Sequence, residues 1–289
     1  MSPTQPQCAI VTGGASGIGR CLVTELVRLD FRVVVGDLNE AAGTELVAAL
    51  NASVSDSPSS SSSSTPRAVF VHTDVTQPTA FATLFQAGTD HFGAVHILVN
   101  NAGIAQADPF WATEQWRSMV DVNLTATMAG TSAAIHYFTT VAPTLPATQA
   151  AGYNTNKVVI NMASMSGLVP FPGDPIYAAT KAAVVNFTRS LPDFTPLFGG
   201  VRFNCLCPAF VDTPMIDRLR AQSPLHEATL GRVAKVTAEE VVQGVLRCIT
   251  ERELNGAALV IACQREPQEL KTDPVLVELL KDSLPVIDA

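Results

Sequence analysis

A series of short, almost continuously apolar runs recurs along this chain, and longer stretches with helical spacing fill the gaps between them. The runs read CAIVT at 8–12, RVVVGD at 32–37, AVFVHTD at 68–74, HILVNN at 96–101, KVVINMAS at 157–164, VRFNCLC at 201–207 and AALVIA at 257–262. A strand with one wet face alternates apolar and polar residues, whereas a strand covered on both faces does not need to. The helical stretches cover about 17–29, 39–50, 78–92, 113–140, 176–191 and 238–250. Together they predict an α/β fold: a doubly wound, mostly parallel sheet with helices on both faces. Two irregular stretches interrupt the rhythm, a serine-rich loop insertion at about 53–66 and the loop APTLPATQAAGYNTN at 142–156. The serine run is too polar to pack. Because the rhythm resumes after each, a single domain over 1–289 is expected.

Hydrophobic residues make up 47% of the chain and charged residues 15%, ample for a buried core. The net charge is −8 and no lysine- or arginine-rich block occurs, which argues against nucleic acid as a partner. No apolar run approaches the ~18 residues of a membrane span, and the polar start MSPTQPQ lacks a secretory-signal pattern. None of the 6 cysteines forms Cys-x-x-Cys and none of the 5 histidines sits in His-Glu-x-x-His. Reduced thiols, no metal and a cytoplasmic location are the expectation.

The first run exits into TGGASGIGR, residues 12–20. Glycines 13, 17 and 19 place backbone without Cβ atoms where a strand hands over to a helix. Free amides and the positive end of the helix dipole can hold a pyrophosphate there. Thr12, Gly13, Ser16, Gly17, Ile18 and Gly19 are the expected dinucleotide contacts of this turn. Asp37, with Leu38 beside it, ends the second run. A carboxylate at that point accepts hydrogen bonds from ribose hydroxyls and repels the extra phosphate of NADP, so NAD is expected. Arg20 keeps an NADP reading open. Asp74 and Val75 suit the adenine, although an aspartate there would equally cap the following helix. NNAG ends the fourth run and offers Asn100, Ala102 and Gly103 to the cofactor.

The segment PIYAATKAAVVNF carries Tyr177 and Lys181, one helical turn apart on one face. An unperturbed phenol, with a pKa of about 10, is a poor base near neutral pH, and a neighbouring ammonium favours the phenolate. The stretch YNTNK repeats the interval with Tyr153 and Lys157, but in loop sequence running into a strand, where four residues do not bring side chains together.

Thr-Gly-x-x-x-Gly-x-Gly, Asn-Asn-Ala-Gly and Tyr-x-x-x-Lys together resemble the short-chain dehydrogenase/reductase family, over about residues 8–262. The resemblance implies a Rossmann-type fold and a catalytic tetrad of Asn123, Ser164, Tyr177 and Lys181. It makes Tyr177 the base, Ser164 the group that orients the substrate oxygen, and Asn123 the holder of a water in a proton relay to Lys181. Lys181 would also hold the nicotinamide ribose. CPAFVDTP matches the family's Pro-Gly loop with Ala209 in place of glycine, and puts Pro208, Val211 and Thr213 at the nicotinamide. Residues 214–235 would form the substrate lid, with Met215, Ile216, Leu219 and Leu225 apolar. Within the family the chain looks most like the NAD-dependent 15-hydroxyprostaglandin dehydrogenase branch, which implies oxidation of a secondary alcohol on a long apolar molecule. Two departures stand out. Asp174 replaces a substrate-binding glutamine, and Pro192 and Pro196 interrupt a helix that the family continues into its dimer interface. A homodimer is still expected. The other readings are an NADP-dependent carbonyl reductase and a non-catalytic dinucleotide sensor.

Overall fold

The computed structural model describes residues 6–52, 65–106, 110–146, 156–222, 235–263 and 265–270. Most of the serine-rich insertion lies outside them, as do Tyr153 and Leu225. One sheet contains β1 (Cys8–Thr12), β2 (Arg32–Asp37), β3 (Ala68–His72), β4 (Val95–Asn100), β5 (Val158–Met162), β6 (Arg202–Pro208), β7 (Ala258–Ile261) and β8 (Gln268–Glu269). Its order is β3-β2-β1-β4-β5-β6-β7-β8. Every pair is parallel except β7 with β8. The chain winds outward from β1 to β3, then restarts beside β1 at β4. That reversal opens a crevice at the strands' carboxyl ends, where α/β sheets bind ligands.

The helices are α1 (Gly17–Arg28), α2 (Glu40–Ala52), α3 (Ala80–Phe92), α4 (Trp116–Val120), α5 (Ala126–His136), α6 (Pro175–Arg189), α7 (Pro214–Gln222) and α8 (Ala238–Thr250). Successive strand residues face opposite layers. Ala9, Val11, Val33 and Val35 pack under Leu22 and Leu26 of α1 and Val241, Val245 and Ile249 of α8. Ile10, Val34 and Leu98 pack under Leu84 and Phe85 of α3 and Phe138 beyond α5. The helical stretch expected at 113–140 is broken by π turns at Asp121–Thr125 and Tyr137–Val141. Apolar spacing shows that a helix is present but not where its hydrogen bonds slip by one residue. α6 ends at Arg189 and a short 3-10 turn, Pro192–Phe194, follows, as the prolines require.

Two side-chain devices brace the sheet. Asn100 and Asn161 are register partners on β4 and β5, so their side chains share a face. Asn100 Nδ2 donates to Asn161 Oδ1 at 2.9 Å, and Asn161 Nδ2 donates to Thr188 Oγ1 of α6, also at 2.9 Å. Thr131 of α5 donates to Asn161 Oδ1 at 3.4 Å. The second device sits where the β1–β4 register shifts between Cys8 and Ala9, where the Cys8 amide donates to His96 Nδ1 at 3.2 Å.

Burial pulls His96 from 6.5 to about 4. A base with a lowered native pKa is protonated first in the unfolded chain, so stability is lost as pH falls from 6.5 toward 4. The loss over that window should be roughly 3 kcal/mol. Denaturant unfolding across this range should show the slope in the wild type and a flatter one in His96→Asn; equal slopes would contradict it.

Among the described residues no helix is long and apolar enough to cross a membrane. Nor do any three His, Cys, Asp or Glu side chains among them cluster as metal ligands would.

Candidate active site

A cleft of about 570 Å³ lies at the carboxyl ends of the central strands. Its first wall is the glycine turn. Gly13 and Gly17 have φ of +63° and +51°, backbone that side chains rarely adopt. A Cβ on Gly13 would stand 2.9 Å from the Ala102 Cα, and one on Gly19 only 2.1 Å from the Gly13 carbonyl oxygen. Ser16 occupies the N-cap position of α1 and is exposed on the cleft, with its hydroxyl unbonded to the helix amides. Gly13, Gly17 and Ile18 line the cleft beside it.

Thr12 and Gly19, expected as direct contacts, stand behind this wall. The Thr12 hydroxyl accepts from the amides of Asn101 and Ala102, both at 3.1 Å, which ties β1 to the loop after β4. Gly19 instead lets α1 approach the turn closely. Asn100 offers the cleft no side chain. Its side chain turns into the buried network with Asn161, because strand parity sends it there. The neighbouring Asn101 lines the cleft with Ala102 and Gly103, and its Nδ2 donates to the carbonyls of Thr12 (2.9 Å) and Gly13 (3.1 Å).

At the far end, the Asp37 carboxylate is oriented by two amides, Ala15 N to Oδ2 and Asn39 N to Oδ1, each 2.9 Å. Exposed Leu38 and buried Val75 line the cleft nearby. Asp74 lines it too, but its carboxylate serves the turn before α3. Oδ1 accepts from the Thr76 amide (3.0 Å) and hydroxyl (2.7 Å), and Oδ2 from Gln77 Nε2 (3.0 Å). These bonds, Gln77's foremost, hold the carboxyl below its usual range. Thr79 is the N-cap residue of α3, so Asp74 braces a turn ahead of that helix rather than capping it. Arg20 is exposed and does not line the cleft.

The other end is built on α6. Asp174 caps the helix, accepting the Tyr177 amide at 3.0 Å, and Pro175 follows at the first helical position. Tyr177 therefore sits in the first turn, half-buried on the cleft wall, with Lys181 one turn further in. Lys181 is buried; its Nζ donates to the Met162 carbonyl at 2.7 Å and lies 5.5 Å from the Tyr177 ring centre. Burial draws Lys181 down to about 8. Ser164, just past β5, accepts the Ser166 amide at 3.1 Å and stands beside Tyr177 on the cleft wall. The phenol itself is pushed up to about 12, chiefly because its surroundings withhold water. The Ser164 hydroxyl opposes the rise and the Asp174 charge adds to it. An acidic phenol is thus not what the chain alone produces. Lys157, of the competing pair, stands at the opposite end of β5 from Ser164.

Asn123, in the first π turn, is fully buried behind this wall. Its Oδ1 accepts from the Ile104 amide and its Nδ2 donates to the Ile104 carbonyl, both at 2.8 Å. It fastens the loop after β4. A Cβ on Gly103 would stand 3.3 Å from Asn123 Oδ1 and 3.6 Å from Lys181 Nζ, so the three positions converge. Pro208, Val211 and Thr213 line the cleft, and Thr213 lies against Gly17. Ala209 needs no glycine-like backbone: among the described non-glycine residues only Asp30 has positive φ.

Phe171 and Phe210, not anticipated from the sequence, meet across the cleft with ring centres 5.7 Å apart. Ile216 and Leu219 of α7 pack on Phe210 and Ala105 to complete an apolar half. Isolated aromatics in Pro- and Gly-rich loops carry no periodicity, and a costly ring in such a segment was the one available sign.

Residues 7–224 match the short chain dehydrogenase family. The chain is 28% identical to the 15-hydroxyprostaglandin dehydrogenase [NAD(+)] of Mus musculus, over 93% of this chain and 96% of that protein. It is 33% identical to a 3-alpha-(or 20-beta)-hydroxysteroid dehydrogenase of Mycobacterium tuberculosis, over 78% of this chain and 76% of the other. A solved structure of a short-chain type dehydrogenase/reductase from Mycobacterium marinum superposes with a TM-score of 0.73 at 22% identity, covering 89% of this chain and 94% of that one. The family match takes in the glycine turn, the Asn-Asn-Ala-Gly loop and the Tyr177–Lys181 helix alike, and the chain belongs to the short-chain dehydrogenase family of oxidoreductases.

Proposed function

We propose that the protein is an NAD-dependent dehydrogenase that oxidises a secondary alcohol on an apolar molecule. One observation carries the reading. Tyr177, Ser164 and Lys181 meet between an apolar half-cleft and a glycine turn whose far end holds a carboxylate. The residues fit a dinucleotide, since the turn leaves no room for Cβ atoms and Ser16 and the first amides of α1 are open to a pyrophosphate. Asp37 would take the ribose hydroxyls, Leu38 and Val75 would flank the adenine, and Val211 and Thr213 would hold the carboxamide. A nicotinamide bound there supplies the hydride acceptor and, when oxidised, a positive charge beside the phenol.

Tyr177 takes the proton of the substrate hydroxyl. Its phenol stands at about 12 in the chain alone, so nearby positive charge has to lower it before it can act near neutrality. Lys181, at about 8, still carries its proton at pH 7 and supplies part of that charge. Ser164 has its oxygen occupied by the Ser166 amide and so keeps its own hydrogen for the phenol or the substrate oxygen. Asn123 holds the loop that carries Gly103 and Ile104 against Lys181; a relay water would sit on this side. Phe171, Phe210, Ile216 and Leu219 exclude water around the reacting carbon. The relatives named for a hydroxyprostaglandin and a hydroxysteroid support an apolar hydroxylated substrate. Dimerisation through α5 and α6 belongs to the same reading, and Met128 of α5, 43% exposed, offers an apolar contact.

NADH formation should be measured across prostaglandins, steroids, terpenoid alcohols and sugar alcohols. Turnover of apolar secondary alcohols is expected; activity confined to sugar alcohols would overturn the substrate class. Asp37→Ala should cut the ratio of NAD to NADP affinity by about tenfold or more, since one lost charge–hydroxyl interaction is worth roughly 1.5–3 kcal/mol. Titrating both dinucleotides against tryptophan fluorescence reads this, and an unchanged ratio would remove Asp37 from the cofactor site.

A further inference from the structure

The cap of α6 is a charged group standing beside the residue on which the chemistry depends. Asp174 is only 8% exposed and lines the cleft. Its Oδ1 accepts the Tyr177 amide at 3.0 Å, and its Oδ2 accepts the Gln106 amide at 3.4 Å from the loop after β4. Any good cap could hold Tyr177 in place, because asparagine and serine serve helix N-termini as well as aspartate does. Neither of them brings a full negative charge into a shielded cleft three residues from a phenol that has to ionise. Such a charge disfavours phenolate.

We propose that Asp174 is a positioning residue that holds Tyr177 in its protonated, proton-donating form, so that alcohol oxidation begins at a higher pH than it would with a neutral cap. The inference rests on Tyr177 being the base of the proposed reaction. The Coulombic effect of Asp174 on Tyr177 has the required sign.

The other groups around the phenol do not duplicate this effect. Lys181, on the same helix, is bonded to the Met162 carbonyl, and its ammonium would act in the opposite sense. Cys207 of β6 lies beside Lys181 and is buried. Ser164 contributes a neutral hydroxyl. On α4, Arg117 is paired with Glu114 at 2.7 Å and lies over the Trp116 ring, while Asp121 in the π turn is exposed. Arg218 of α7 lines the cleft from the lid side and is exposed to solvent, which screens it. Among the described residues of this set Asp174 is the buried carboxyl group.

The test compares the full-length wild type with Asp174→Asn and Asp174→Ser, two neutral caps that should keep the melting temperature near the wild-type value. In both variants the acidic limb of kcat/KM for alcohol oxidation should move down by about one pH unit, the shift that a nearby charge commonly imposes. At a fixed pH on that limb, oxidation should be about tenfold faster. A second readout needs no turnover. Ultraviolet titration in the presence of oxidised dinucleotide, taken as the difference from the Tyr177→Phe variant, isolates the phenolate of Tyr177 among the chain's 3 tyrosines. Its midpoint should fall by the same unit. Midpoints unchanged in both variants would overturn the role of Asp174. Absence of turnover with every alcohol would count against the proposed function and leave the titration to decide on Asp174.

Discussion

Tyr177→Phe should lower turnover by about 10²–10⁴-fold while leaving dinucleotide affinity within a few-fold of the wild type. The variant removes one oxygen from a ring that keeps its packing, so the loss reads the phenol rather than the fold. Tyr177 lines the cleft beside Ser164, whereas the amide that positions the residue is held by Asp174 and is untouched by the change. Ser164 keeps its bond from the Ser166 amide and should stay in place. Single-turnover NADH formation together with a fluorescence titration of NAD separates the two effects. A variant that retains a tenth of the activity would show that another group removes the proton.

Gly19→Ala should cost at least tenfold in dinucleotide affinity and lower the melting temperature. The added Cβ would meet the Gly13 carbonyl oxygen at 2.1 Å and Asn101 Nδ2 at 2.7 Å. Neither can retreat cheaply. Gly13 is fixed by its left-handed backbone, and Asn101 holds both the Thr12 and Gly13 carbonyls. Relief has to come from moving the turn away from α1, which spoils the alignment of amides that binds phosphate. Overpacking of this kind costs about 1–3 kcal/mol. Calorimetric binding of NAD and a thermal melt would measure the two losses. If Gly19→Ala bound NAD as tightly as the wild type, the turn would not be the pyrophosphate cradle.

The fold was legible because it rests on local patterns. Two-face burial left the strands apolar, and the strand assignments at 8–12 and 32–37 match β1 and β2 residue for residue. The short antiparallel β8 has only Gln268 and Glu269, both exposed, and no pattern announces it. The site was legible where a motif fixes chemistry and geometry together, as with Gly13, Gly17, Tyr177 and Lys181. It was less legible where the direction of a side chain decides. Asn100 and Asn101 are identical in type, and only strand parity sends one into the core and the other to the cleft. Thr12, Gly19 and Asn123 belong to the site's framework, a role that sequence spacing does not separate from contact. The π turn that carries Asn123 and the aromatic pair Phe171–Phe210 arise from tertiary packing and leave no periodic trace.

The amide bridge from Asn100 through Asn161 to Thr188, joined by Thr131, fixes α5 and α6 to mid-sheet with directional bonds. A bond with a preferred angle resists sliding, whereas methyl groups in contact can glide past one another at little cost. The reacting half of the cleft is accordingly anchored like a bench vice, whereas α7 packs through its buried Ile216 and Leu219 on Phe210 and Ala105. Substrates of different girth would then be accommodated by travel of α7, with the distance between Tyr177 and Ser164 unaltered.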